Sequence, residues 1–409
     1  MRILQICNKP PYPPHDGGSL AMFNLARSLN RLGHEITVLT MSTPKHRLTD
    51  EKKQEFNKVM NLHAVYVDTT PQWPSLLCNL IFSQQPYNVR RFISKSFEDE
   101  LTRLLVTGHF DVVQLEGLYL TPYIPVIRQN STALVVLRAH NVEHEIWERI
   151  FDAEKNLFRK SYFKVLAKRI KRFEYQSINL YDLIVPITNR DLEQFNSMGN
   201  ARPALVCSAG VDIDVYSAVA EITSLFVESS AAGNFSLFFL GSLDWIPNQE
   251  GLLWFLSAVF PMLHQQYPDL KLHVAGRNAP GNLVKKMDIP GVIFYGEIAD
   301  SHEFMRANSI LVAPCFAGGG MRVKLIEAMA MGKPVVTTPI GAEGLTAEHN
   351  ENIIIANNAG DFYQHIERLM KYPDLYQKIG QNAQNFVFEK FNNLDIASAL
   401  AGFYNTHLK

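Results

Sequence analysis

Residues 313–337 hold the densest set of groups able to do chemistry. Gly318, Gly319 and Gly320 stand in a row, followed by Met321, Arg322, Lys324 and Glu327. Three glycines give a backbone without Cβ that can approach a ligand closely. Arg322 and Lys324 add positive charge beside it, and Glu327 adds a carboxylate that can accept from a hydroxyl. The chemistry that suits these types is recognition of a phosphate-bearing ligand by backbone amides and cations. The flanking residues supply the elements that must position them. Residues 309–313 are a short apolar run of strand type, residues 321–331 are good helix formers, Gly332 stands where a helix ends, and residues 334–338 resume a strand. A helix that opens on a glycine loop points free N–H groups at an anion. Lys324 and Glu327, three apart, share a face, and Arg322 joins them only if the helix starts late. A plain glycine turn before an ordinary helix fits the glycines alone; the cations, the carboxylate and the strand–loop–helix setting favour the ligand.

Two further places put polar groups at strand ends. Residues 133–140 are an apolar run ending in a cluster of Arg138, His140, Asn141, Glu143 and His144, and the run 110–116 ends in Glu116. Carboxyl ends of parallel strands are where α/β sheets build sites. Near the start, a strand over 2–7 leads into residues 9–18, with four prolines and a closing Gly17 and Gly18. A helix over 20–32 follows, with Ser19 as its expected N-cap, and then a strand from residue 33. That is one βαβ unit, so a parallel sheet is expected. No G-x-G-x-x-G occurs there, which argues against a dinucleotide site.

The remaining composition sets bounds. The 409 residues suggest two or three domains, and 47% hydrophobic with 19% charged residues is ordinary for a soluble globular protein. A net charge of −1 gives no case for nucleic acid binding. Cys7, Cys78, Cys207 and Cys315 are far apart, against a zinc site or disulfide framework. The first apolar run is too short for a signal peptide, and no run of about 18 apolar residues occurs, so a cytoplasmic location is expected. Asp212 and Asp214 form a lone D-x-D, too weak to call a metal site. The apolar stretch 76–83 reads as a core helix or a surface touching lipid, and the small polar stretch 224–234 suits a linker. Residues 151–175 read as one long helical segment with eight Lys or Arg against three acids, interleaved with aromatics. Such a helix is either a solvated face over a packed stripe or a surface lying on an anionic membrane.

The stretch 313–337 resembles the nucleotide-sugar motif of the retaining glycosyltransferases usually numbered family four, of the group 1 type. Their fold is GT-B: two Rossmann-like parallel-sheet domains facing a cleft. Glu-Ala-Met-Ala at 327–330 matches the motif's second glutamate, which implies that Glu327 accepts from the nucleotide ribose. The first glutamate falls at Gly319 and is absent, which leaves recognition of the donor sugar open. The Gly-rich form ending Met-Arg-Val-Lys resembles a subgroup from bacterial surface-polysaccharide clusters. Where the family carries an Arg and a Lys that grip the donor diphosphate, Ser242 and Asn248 stand here. Arg322 and Lys324 are the replacements this implies, with Arg277 a third cation.

By the same resemblance His140 positions donor sugar or acceptor. Glu116 and Asn141 face the acceptor, and Gly17, Gly18, Gly318–Gly320 and Met321 line the donor. The implied domains are 1–205 for the acceptor, 206–390 for the nucleotide sugar, and a segment 391–409 crossing back to the first. The implied reaction is transfer of a sugar from a nucleotide diphosphate sugar to a hydroxyl acceptor, with retention and with neither metal nor cofactor. An epimerase or hydrolase of the same fold, and a catalytically silent partner subunit, are the alternatives.

Overall fold

Short aliphatic runs bounded by glycine, proline and polar residues become strands, and the periodic segments between them become helices. The computed structural model describes residues 1–14, 16–72, 79, 83–216, 235–317 and 320–408. Residues 76–78, 80–82 and 224–234, on which the apolar-stretch and linker readings fall, lie outside them, as does Cys78. The chain divides into two units, 1–209 with 393–409, and 210–392.

The first unit is built on a six-stranded parallel sheet in the order β3-β2-β1-β4-β5-β6. Its strands are β1 Arg2–Cys7, β2 Glu35–Ser42, β3 Asn61–Tyr66, β4 Val112–Glu116, β5 Leu134–Ala139 and β6 Leu183–Pro186. The order reverses between β1 and β4, so crossovers leave in opposite directions and open a crevice at those carboxyl ends. Cys7 of β1 pairs with Glu116 of β4, and Glu116 with Arg138 of β5, which sets three strand ends side by side. The helix Asn393–Asn405 belongs to this unit; Ala397, Leu400 and Tyr404 pack with Met22, Leu25 and Leu29 of the helix Gly17–Arg31.

The second unit repeats the plan with the order β12-β11-β10-β7-β8-β9. Its strands are β7 Ser236–Leu240, β8 Lys271–Ala275, β9 Val292–Gly296, β10 Ile310–Ala313, β11 Val335–Thr337 and β12 Ile354–Ile355. Its order reverses between β7 and β10. The inner strands β4, β5, β7, β10 and β11 are buried on both faces, so each reads as a continuous apolar run, whereas β9 exposes Ile293 and Tyr295. Leu237, Phe239, Val274, Ile310 and Val336 are all fully buried.

Three local expectations need correction. The first helix is capped by Asp16, not Ser19: the Asp16 carboxylate accepts from the Ser19 N–H at 2.8 Å, and Gly17 and Gly18 lie inside the first helical turn. An aspartate three residues before the expected cap reaches the free N–H groups just as well. The segment 151–175 is not one helix. Glu143–Ala153 ends, and Leu157–Ser177 begins anew with Asn156 accepting from Phe158 and Arg159. The helix expected over 321–331 spans Val323–Ala330, with Arg322 as its N-cap.

The close fit of the second unit is testable. Gly251, in the helix Ile246–Ala258, crosses Pro314 so tightly that a Cβ would lie 2.0 Å from the Pro314 carbonyl oxygen. Gly251→Ala is expected to lower stability by about 1–3 kcal/mol through overpacking. Thermal denaturation checks this, and an unchanged midpoint would contradict the contact.

Candidate functional site

In the second unit the loop after β10 is tied down before the helix begins. The Cys315 N–H donates to Thr338 Oγ1 at 3.2 Å, and Thr338 Oγ1 donates back to the Cys315 carbonyl. Gly318 and Gly319 lie outside the described residues. Gly320 has φ +73°, a left-handed conformation that favours glycine. Met321 is half-buried beside it. Arg322 turns back on this loop: it donates to the Gly320 carbonyl, to Cys315 Sγ at 3.2 Å and to the Ala317 carbonyl at 3.4 Å. These contacts tie Arg322 to both sides of the glycine loop.

Lys324 does something different. Its half-buried side chain runs from the first turn of the helix to the carboxyl end of β7. There Nζ donates to the Leu240 carbonyl at 2.8 Å and lies 3.5 Å from Asn248 Oδ1. The ammonium stands 4.9 Å from the centre of the Phe239 ring. A Cβ on Gly241 would meet it at 3.1 Å, so glycine at that position leaves room for the lysine head. The ammonium thus reaches Asn248 itself. Arg277, at the end of β8, donates to Ser242 Oγ at 3.1 Å. Ser242 and Asn248 are therefore each served by a cation from elsewhere in the chain. No carboxylate pairs with Lys324 among the described residues. Burial pushes its pKa down to about 8; the Cys315 thiol opposes that shift and the Arg322 charge reinforces it.

Glu327 shares the helix with Lys324, but its carboxylate meets other partners. Glu327 Oε1 lies 3.4 Å from both the Tyr216 hydroxyl and His302 Nε2, which are 2.9 Å from each other. Hydrogen bonding to Glu327 raises the His302 pKa, against the effect of burial. Sequence reasoning missed both partners, since 111 and 25 residues separate them from Glu327. Asp212 is followed by a turn in which the Asp214 N–H donates to its carboxylate at 3.3 Å. No cluster of three potential metal ligands occurs among the described residues.

In the first unit the expected crowd at the end of β5 divides. His140 Nε2 lies 2.6 Å from Glu116 Oε2. Glu116 is 2% exposed, and it also accepts from Gln5 at 2.6 Å and from Gln114. The fully buried Arg138 guanidinium stands 3.6 Å from the same Oε2. Gln114 in turn accepts from the Tyr404 hydroxyl at 2.7 Å, which ties the C-terminal helix into the network. Burial alone would push the Glu116 pKa up. The hydrogen bond and charge of His140, the charge of Arg138 and the Gln5 bond outweigh it, and the pKa ends below the ordinary value. Glu116 is thus too buried to meet a ligand directly, and its one half-exposed partner is His140. Asn141 is half-buried in the turn after β5.

The other members of the crowd serve the helix Glu143–Ala153. Buried Glu174 accepts from the Glu143 and His144 N–H groups at 3.0 and 3.1 Å and pairs with His144 Nδ1 at 2.6 Å, so it caps that helix from its neighbour. Glu143 accepts from the Tyr119 hydroxyl at 2.7 Å. Its pKa is pushed up to about 7 by burial and by the Glu174 charge. Gly17 and Gly18 stand beside an ion pair: Lys9 Nζ is 2.7 Å from Asp16 Oδ1, and a Cβ on Gly18 would meet that lysine at 3.2 Å.

The buried charges of the first unit make a double-mutant test. Glu116→Gln leaves the Arg138 guanidinium uncompensated and is expected to cost about 3–5 kcal/mol. Adding Arg138→Met should recover part of that loss. Because the Glu116 pKa is depressed, its contribution is present above an unfolded pKa of about 4.3 and lost as pH falls through the folded value. Denaturant titration of both singles and the double reads the coupling, and strict additivity would contradict it.

Comparison with known proteins agrees with this architecture. Residues 234–372 match the family described as Glycosyl transferases group 1. An uncharacterized 44.6 kDa protein in the cps region of Klebsiella pneumoniae is 25% identical, covering 98% of each chain. An uncharacterized glycosyltransferase of Methanocaldococcus jannaschii is 28% identical over 25% of this chain and 27% of its own. Among solved structures, Anabaena HepE in complex with UDP-glucose superimposes with a TM-score of 0.67 at 17% identity, covering 99% of this chain and 100% of that one. Sucrose-phosphate synthase from Thermosynechococcus elongatus gives 0.69 at 15% identity, with 99% of each chain covered. Two parallel-sheet units of this order are the GT-B fold, and residues 234–372 of the second match the Glycosyl transferases group 1 family.

Proposed function

We propose that this chain transfers a sugar from a nucleotide diphosphate sugar to a hydroxyl acceptor, with retention and without a metal, in the synthesis of a surface polysaccharide or glycolipid. The observation that carries this reading is Lys324, a cation at the end of β7 with no carboxylate partner among the described residues, inside the stretch that matches glycosyl transferases group 1. A departing nucleoside diphosphate gains negative charge as the glycosidic bond breaks. A preplaced ammonium in a poorly hydrated site stabilises that charge most. Arg277 adds a second cation, and Arg322 braces the loop through the Ala317 and Gly320 carbonyls.

Glu327, oriented by Tyr216 and His302, accepts from the ribose. In the first unit, Glu116 holds His140 by Nε2, leaving Nδ1 to meet a sugar or acceptor hydroxyl. The acceptor oxygen attacks the anomeric carbon on the face that the diphosphate leaves, and its proton passes to the departing phosphate oxygen. The Klebsiella relative in a cps region supports a polysaccharide product. The Anabaena structures with UDP and UDP-glucose make uridine nucleotides the first donors to try.

The test is a thermal-shift panel of nucleoside diphosphates and nucleotide sugars, with and without EDTA. A native-state ligand raises the midpoint with its occupancy. A shift with one nucleotide, insensitive to EDTA and lost in Lys324→Ala, is expected, together with a rate loss of roughly 10²–10³ in that variant. Diphosphate affinity should fall as pH rises through about 8, where Lys324 loses its proton. A panel without any shift would overturn the reading. Donor turnover without an acceptor would point instead to an epimerase or hydrolase, and nucleotide binding without turnover to a silent subunit.

The same lysine predicts a conflict between stability and function. Its folded pKa lies below the unfolded value of about 10.4, so its charge costs stability at neutral pH, and the cost fades as pH rises from about 8 towards 10.4. Lys324→Met should therefore raise the ligand-free melting midpoint at pH 7 while abolishing the nucleotide shift. Melting curves at pH 7 and pH 10 check the sign, and a lowered midpoint at pH 7 would refute it.

A further inference from the structure

The helix Leu157–Ser177 has two unlike faces. Its inner face is packed: Leu166 and Ile170 are buried against Leu118, with Trp147 and Phe163 beside them. Its outer face carries Leu157 and Phe158, 78% and 90% exposed, then Val165 at 37%. Between and beyond them stand exposed Lys164, Lys168 and Arg172. The spacing 157/158, 161, 164/165, 168, 172 keeps all of these on one side of the helix. Glu174, the helix's one acid, is buried at the cap described above. Other cations of the segment are engaged: Arg159 with Glu154, Lys171 with Glu148, and Arg169 with the Asn79 carbonyl. Lys164, Lys168 and Arg172 make no ion pair among the described residues.

From this face we infer that the helix Leu157–Ser177 lies in the plane of an anionic lipid bilayer surface, with Phe158 and Leu157 dipping below the headgroups and the three cations among them. Water alone gives no reason to hold a phenyl ring almost fully exposed next to a leucine and a row of unpaired cations. The boundary of an anionic bilayer satisfies both sets of groups at once, apolar contact for the rings and negative charge for the cations. A polyanion such as nucleic acid would use the cations but leave the apolar tip in water. At about 30 Å the helix has the length to span a bilayer, but it is too polar to do so, and no helix among the described residues is long and apolar enough to cross a membrane. The bound orientation is therefore flat.

The test needs neither donor nor acceptor, so this inference and the proposed transferase activity can fail separately. The full chain is sedimented with vesicles of phosphatidylcholine alone and of phosphatidylcholine with one part in three phosphatidylglycerol. Pelleting is expected only with the second, and weakening as salt is added. Lys164→Gln, Lys168→Gln and Arg172→Gln together should lower the partition coefficient about 100-fold. Phe158→Ser should lower it about tenfold. All four side chains are exposed, so melting midpoints should not move, which separates lost binding from lost folding. No pelleting with the anionic vesicles would overturn the inference, and so would a triple variant that pellets like the parent. Loss with the triple variant but not with Phe158→Ser would also overturn it, in favour of an acidic macromolecule.

Discussion

An ammonium group partly shielded from water, with no carboxylate against it among the described residues, is an unstable arrangement on its own. Lys324 is held that way by the construction of the second sheet. The reversal of strand order between β7 and β10 leaves a crevice at their carboxyl ends, and the helix after β10 starts beside it. From that helix's first turn a lysine is long enough to reach the Leu240 carbonyl, and Gly241 leaves space for its head. A Cβ on Gly276 would in turn strike the Gly241 carbonyl at 2.0 Å, so the neighbouring strand end is narrow for the same reason. The Leu240 carbonyl and the Asn248 amide oxygen take hydrogen bonds from the lysine but do not balance its charge. A bound diphosphate would supply that charge, which is why the geometry reads as a ligand site rather than as ordinary packing.

The first sheet solves the related problem of buried charge in the opposite way. Glu116 is as deeply buried as any core residue, yet Arg138, His140, Gln5 and Gln114 surround it. Charge there is balanced within the protein, and the effect is orientation: one imidazole nitrogen is fixed and the ring is held at the strand end. The C-terminal helix joins this network through Tyr404 and Gln114, so the segment following the second unit helps to set the strand ends of the first. The two units share a topology but use it differently, one to hold a histidine in place and the other to hold a cation ready.

Much of the fold was legible because parallel strands buried on both faces leave unmistakable apolar runs. β1, β4, β5, β7, β8 and β10 all fall on such runs. β12, with two residues, was too short to leave a pattern. The split at residues 154–156 was missed because charges and aromatics continue across it; the signal was Asn156, a residue suited to begin a helix. His140 was legible as a candidate because polar residues at the ends of apolar runs stand out, and Lys324 because it follows a glycine triplet at the start of a helix. Their partners were not. Tyr216 and His302 reach Glu327 from distant elements, and Glu174 sits in a run of cations that gives no hint that it alone turns inward. Pairings made by tertiary packing leave no local pattern.

The two cations of the glycine loop lie two residues apart and do unlike work, and helix geometry accounts for the difference. Arg322 is the cap residue, with φ −89° and ψ 90°, so its side chain leaves the chain before the helix begins and folds over the loop. Lys324 is inside the first turn and is carried towards β7. An arginine suits the first place, since its planar fork can satisfy several loop carbonyls at once. A lysine suits the second, since one compact charge fits beside Gly241 and its pKa responds to what binds. The absence of a carboxylate at position 319 is consistent with this division. An acid there, three residues before Arg322 and five before Lys324, would compete with an incoming phosphate for the same charges.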